Sequence, residues 1–252
     1  MTALRHRTAA TGADTGPERS APVAAAAYRV ARRLAGRRAA PALHPHGVLC
    51  TGRLDVHGTA DGSWNVPWLD RPGSYRVTAR WSRALGLPGN VPDGLGLALR
   101  VEDAGGSGAP LDLLLTSSGA GRLGRHLPLP RHRALSGPYS TLVSYRTGDR
   151  VRVLAAFPER GPHDAVDVAL PALRQALLRA PVRFDLRAAA AGEPWRSFAA
   201  LTLQEPAPAP EHGTVSYDPY AHRLPGLRPT EWLRRLREAA YSGSRHGRGG
   251  PP

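Results

Sequence analysis

Lysine is missing from this chain, so every one of its 34 basic lysine-or-arginine positions is arginine. Cysteine is almost as scarce. The single Cys50 excludes an internal disulfide and a zinc site built on several cysteines, and is expected to be a small buried hydrophobe. No apolar run approaches the roughly 20 residues that a membrane-spanning helix requires, so no membrane span is expected. The Ala-rich stretch at 23–27 is cut short by Arg29, with Arg32 and Arg33 behind it, and no apolar core of export length forms. A cytoplasmic location follows as the expectation.

The balance of charge runs the other way. At +14 net charge over 252 residues, attraction to nucleic acid has to be considered. Yet heavy use of arginine together with Ala, Gly and Pro is what GC-rich codons produce without any ligand. The arginines are also scattered, not interleaved with aromatics as a single-strand groove needs. Sequence-specific nucleic-acid recognition is not expected.

Residues 1–22 lack hydrophobic periodicity and are expected to be disordered, as are residues 247–252, leaving one domain over 23–246. A helix is predicted from Val23 to Arg38, stopped by Pro41. Short strands follow at Gly47–Val56, Gly73–Ser82, Gly94–Val101 and Leu111–Ser117, separated by turns containing Gly, Pro or Asp. In the second of these, Tyr75, Val77, Ala79 and Trp81 share one face; Arg76, Thr78, Arg80 and Ser82 share the other. That polar face suits either a cofactor-facing lining of a barrel or plain solvent. Residues 122–139 read as a covering loop, and Leu142–Phe157 as strand with a turn at Gly148-Asp149. A short amphipathic helix is predicted over Ala169–Leu178, then strands at Val182–Ala188 and Phe198–Gln204 and a proline-rich connector to Pro210. Thr230 caps a last helix, Glu231 to Tyr241, stopped near Gly243.

Three motifs that resemble chemistry fail on context. Gly119-Ala-Gly121-Arg-Leu-Gly124 has dinucleotide-fingerprint spacing, but Pro128 and Pro130 break the helix whose N-terminus would hold a pyrophosphate; it reads as a turn. His44, His46, Asp55 and His57 lie close in sequence without further ligands at familiar spacings. Ser117-Ser118-Gly119 lacks a nucleophile elbow.

Two consecutive segments carry a resemblance. His44-Pro-His-Gly47-Val-Leu-Cys-Thr-Gly52-Arg-Leu-Asp-Val56 is similar to the catalase stretch that bears the distal histidine. Arg80-Trp-Ser82, Asp93, Gly96-Leu-Ala98-Leu-Arg100 and Asp112-Leu113 are similar in order to a catalase pattern of Arg-Phe-Ser, Asp-x-x-Gly-x-Ala-x-Lys and Asp-Leu before the distal asparagine. Trp195 ahead of its strand and Ser216-Tyr-Asp-Pro219 with the closing segment from Arg228 to Ser244 resemble short relatives of the same superfamily.

The resemblance implies a mainly β (α+β) fold, a catalase-like antiparallel β-barrel of about eight strands with flanking N- and C-terminal helices. It implies heme as cofactor and a small-molecule peroxide, hydrogen peroxide or an organic hydroperoxide, as substrate of a peroxidase- or catalase-like oxidoreductase. His44 takes the distal histidine's place, Ser82 that of its serine partner, Arg80 that of an arginine facing a heme propionate, and Ser117 that of the distal asparagine. Tyr217 matches the proximal tyrosine that ligates heme iron; the family's arginine four residues before it is here Gly213, leaving Arg223 as the sequence's nearest candidate cation. The residues alone also fit a histidine satisfied at a barrel mouth and a tyrosine that only packs. The competing expectation is therefore a heme-free binding or structural module on the same fold. A homo-oligomer is compatible with either.

Overall fold

The computed structural model describes residues 47–58, 62–87, 91–207 and 215–230. The helices expected at 23–38 and 231–241, both expected disordered ends, and His44, His46 and Gly213 lie outside the described residues.

Ten strands form one antiparallel sheet: β1 (Gly47–Val56), β2 (Gly73–Arg83), β3 (Leu95–Val101), β4 (Leu111–Ser117), β5 (Tyr139–Ser140), β6 (Tyr145–Thr147), β7 (Arg150–Pro158), β8 (Val182–Ala190), β9 (Arg196–Pro206) and β10 (Leu227–Pro229). The order β7-β5-β4-β3-β2-β1-β9-β8 returns to β7 through a β7–β8 pairing, which closes an eight-stranded barrel. Strands β5 and β6 lie along the same edge of β7, Tyr139 opposite Ala156 and Tyr145 opposite Arg152, and β10 adds to β6 outside the ring. The segment 142–157 thus resolves into β6 and β7, joined at Gly148-Asp149 with Gly148 at φ +62°. Two helices are short. Pro67–Asp70 (α1) and Leu170–Arg179 (α2) are each entered through a proline in the first turn.

Period-two alternation decides which side of each strand enters the barrel. Val77, Ala79 and Trp81 point inward, in register with Gly52, Cys50 and Val48 of β1 and with Val101, Leu99 and Leu97 of β3. From the opposite wall come Tyr139, Ala156, Phe184 and Leu186. Trp81, Tyr139 and Phe184 meet edge to face with ring centroids 5.9–6.0 Å apart. The Trp81 indole N–H donates to the Tyr139 hydroxyl (3.0 Å), which donates to the Ala134 carbonyl (2.7 Å). Both polar tips in the lumen are thereby satisfied. At Gly52 the β1–β9 register shifts, and a Cβ there would meet the Thr202 carbonyl at 2.5 Å, so glycine lets the two backbones approach. Outside, Leu173, Ala176 and Leu177 of α2 pack toward β9 and β1.

The polar face of β2 lies on the outer wall of the barrel. Eight strands leave a lumen wide enough only for side chains, and apolar ones fill it. Among the described residues no helix is long and apolar enough to cross a membrane. Phe184→Ala should lower the unfolding free energy by about 3–5 kcal/mol, because the cavity opens in the middle of the aromatic triangle. Chemical denaturation followed by tryptophan fluorescence measures it, and a loss below about 1 kcal/mol would show that the lumen is loosely packed.

Candidate functional site

Three rungs cross the outer wall from β1 to β4. The first is Gly47, Ser82, Gly96 and Thr116; the second Leu49, Arg80, Ala98 and Leu114; the third Thr51, Thr78, Arg100 and Asp112. The first is made of small residues, and the second carries one cation. A Cβ on Gly47 would lie 3.1 Å from Arg80 Nε and 3.1 Å from the Ser82 Cβ, so glycine leaves room where the cation and the serine adjoin. Arg80 is half-buried. Burial draws its pKa down from the usual arginine value, while negative charge on Tyr217 would push it up. A partly desolvated guanidinium on a flat wall is a recognition element for a carboxylate.

Ser82 is buried, and its hydroxyl donates to the Gly96 carbonyl at 3.4 Å. Ser117, by contrast, is not on the outer wall. It stands on the inward face of β4, where its Oγ accepts from the Leu95 N–H (2.9 Å) and donates to the Leu129 carbonyl (2.7 Å). The residue that shares a rung with Ser82 and Gly96 is Thr116. A shift of one residue turns a side chain to the other side of a sheet. Alternation counted from Asp112 through Leu114 to Thr116 carries this signal in the sequence itself.

Tyr217 is nearly buried against the same wall. Its hydroxyl lies 3.5 Å from the Thr78 carbonyl, to which it donates, and the Arg100 guanidinium sits 5.4 Å from the ring centroid. Burial pushes its pKa well above the usual phenol value, and Arg100 and Arg80 only partly oppose this, so the phenol is neutral. The cations that act on it are these two, whereas Arg223 is exposed.

What holds Tyr217 there is a latch that sequence reasoning missed. The buried Asp112 carboxylate accepts two hydrogen bonds from Arg100 (2.9 and 2.7 Å) and one from the Asp218 N–H (2.7 Å), and His222 Nδ1 lies 2.8 Å from it. Arg100 also donates to the Ser216 carbonyl (2.7 Å). The segment 216–222 is thus clamped on the third rung. Elsewhere, Asp55 is taken up by Arg53 and Ser74, and His57 meets the Ser197 hydroxyl at 3.2 Å. Among the described residues no group of three or more His, Cys, Asp or Glu side chains is placed to hold a metal ion.

No protein-family model matches the chain, and no curated protein matches it by sequence. Solved structures do match. A bacterial catalase superposes with a TM-score of 0.57 at 12% identity over 82% of this chain and 56% of its own. A fungal catalase superposes with a TM-score of 0.55 at 13% identity over 83% of this chain and 59% of its own. The fold is that of the catalases. At these identities the likeness concerns the fold alone, and this chain spans less than two thirds of the length of either catalase.

The latch of this catalase-like barrel depends on an ionised Asp112. Burial alone would raise that carboxyl's pKa, but the hydrogen bonds from Arg100, His222 and the Asp218 N–H outweigh it and hold the pKa below the usual value. A depressed folded pKa contributes stability that is present above the unfolded carboxyl value, about 3.9. That stability disappears as pH falls through the folded value. Thermal melts from pH 6 downward should therefore show wild type losing stability below about pH 4 more steeply than Asp112→Asn. At neutral pH, Asp112→Ala should cost about 3 kcal/mol, since it strands the partly buried Arg100.

Proposed function

We propose that this chain holds heme against the outer wall of its catalase-like barrel and acts on hydrogen peroxide or an organic hydroperoxide. The observation that carries the reading is the half-buried Arg80 beside the small-residue rung of Gly47, Ser82, Gly96 and Thr116. That wall fits a flat group bearing carboxylates: the rung admits a planar face, and the guanidinium fork pairs with an acid. When bound, heme supplies an iron centre whose redox chemistry no side chain offers.

Tyr217 would be a weak holder of the heme iron. A phenol whose ionisation burial makes harder, and whose hydroxyl donates to a backbone carbonyl, is a poor oxygen ligand, and Gly213 denies it the arginine that the family places four residues earlier. Arg237 stands four residues before Tyr241, so the closing segment meets the spacing that Tyr217 lacks. The sequence predicts a helix over 231–241, in which that spacing would bring the two side chains together and favour the phenolate. Tyr241 would be the residue whose oxygen holds the heme iron, and Tyr217 would cover the wall beneath Arg100. Were Tyr217 the only candidate, the heme-free module would be the better reading.

The remaining roles belong to polar side chains. His44 takes the proton from the hydroperoxide onto an imidazole nitrogen and returns it to the other oxygen. Ser82 fixes the tautomer of that imidazole, and Thr116, in the place first given to Ser117, offers a hydroxyl to the peroxide from the same rung. Arg80 binds a propionate.

Protein produced with ample heme should show a Soret band in its visible spectrum. Tyr241→Phe should abolish or shift it, and Tyr217→Phe should leave it in place. His44→Ala should keep the band and lower peroxide turnover about a hundred- to ten-thousand-fold. A wild-type protein that stays colourless in the presence of heme would leave the heme-free module standing.

A further inference from the structure

We propose that the loop from Gly119 to Arg133 is a docking surface for an anionic lipid bilayer. It presents three of the six large aliphatic side chains that are exposed among the described residues: Leu123 at 81%, Leu127 at 54% and Leu129 at 41%. The exposed Arg122 and Arg133 flank them in sequence. No acidic residue occurs between Asp112 and Asp149, and the chain as a whole carries +14. Apolar side chains held in water within a basic frame are what an interfacial membrane site requires, the aliphatic groups entering the acyl boundary and the guanidinium groups meeting headgroup phosphates.

These leucines are not exposed because the loop is loose. Arg125 is buried with its guanidinium 4.7 Å from the Trp195 ring centroid, and the Trp195 indole N–H donates to the Ala120 carbonyl (2.8 Å). The Arg125 carbonyl accepts from the Ser140 hydroxyl (2.6 Å), and His126 Nδ1 meets the Leu142 carbonyl (2.7 Å). At the far end Arg131 donates to the carbonyls of Ser118, Gly137 and Pro138 at 2.5–2.7 Å. Gly119 and Gly124 close the turn, a Cβ on either coming within 3.2 Å of the other's backbone. Two of the loop's arginines are thus spent as internal pins, and the backbone they fix turns the leucines outward.

Two of the nearby acids have arginine partners of their own. Glu193 is taken up by Arg150 and Arg152, and Asp93 by Arg83 and the Leu85 and Leu87 N–H groups. Asp167, bridged to Arg133 through the backbone, accepts from the Ala169 N–H at the start of α2. The inference stands apart from heme, because no residue of the wall from Gly47 to Thr116 takes part in it.

The full-length protein, incubated with vesicles of phosphatidylglycerol and phosphatidylcholine in equal parts, should co-sediment with them. It should bind vesicles of pure phosphatidylcholine far more weakly. Changing Leu123, Leu127 and Leu129 together to Ser should weaken vesicle binding at least roughly tenfold, and the pair Arg122→Gln and Arg133→Gln should weaken it and flatten its salt dependence. Leu123→Trp should add a tryptophan emission that moves to the blue when vesicles are added, a readout that decides the matter even if the triple variant misfolds. Failure of the wild type to sediment would overturn the proposal. So would a triple variant that folds and binds like wild type, which would assign binding to diffuse charge. A wild-type dimer that ignores vesicles and becomes a monomer in the triple variant would give the leucines to a second copy of the chain.

Discussion

Closure of eight antiparallel strands leaves a lumen that side chains alone can fill, and this constraint arranges everything else in the protein. Trp81, Tyr139 and Phe184 occupy the middle, with aliphatic residues of all the long strands around them. A packed interior has no place for substrate or cofactor. A candidate site is thereby left to the outer wall, where the alternate residues of β1 to β4 include small, polar and charged ones. These four strands serve the core with one face and the candidate site with the other.

The outer wall needs something to cover it, and the Asp112 latch supplies the first part of that cover. A carboxylate buried without partners would be costly, and here Arg100, His222 and the Asp218 N–H all converge on it. Arg100 comes from β3 and Asp112 from β4, so the ion pair sits on the wall and captures a segment more than a hundred residues further on. The neutral Tyr217 lies beneath this clamp. Burial against the wall fixes its position and pushes its pKa further above the usual phenol value.

Arginine does several different jobs in a chain that has no lysine. Arg131 satisfies loop carbonyls, Arg125 stacks on Trp195, and Arg152 and Arg196 each lie 4.5 Å from the Trp64 ring centroid. A planar fork that donates in several directions and stacks on aromatic rings suits such internal posts, where an ammonium would be strongly hydrated. Part of the positive charge that first points to a polyanion is therefore structural. Arg122 and Arg133 are exposed beside exposed leucines, and there charge and apolar surface coincide.

The sequence by itself determined the strands, their alternation and the order of the motifs, because period-two patterning and turn residues are local. The strands from Gly47 to Ser117 and the helix before Val182 fall within a residue or so of where pattern places them. Alternation placed Arg80 and Ser82 on one face, and that much needed no partner strand. Which side of the barrel this face becomes was decided only by closure, a long-range event that depends on β7 finding β8. The same holds for Thr116 over Ser117, since a rung exists only once three strands are in register. The partners of Tyr217 were likewise hidden. Its neighbours Arg100 and Thr78 are far off in sequence, and only tertiary packing buries the phenol and sets its hydroxyl against the Thr78 carbonyl.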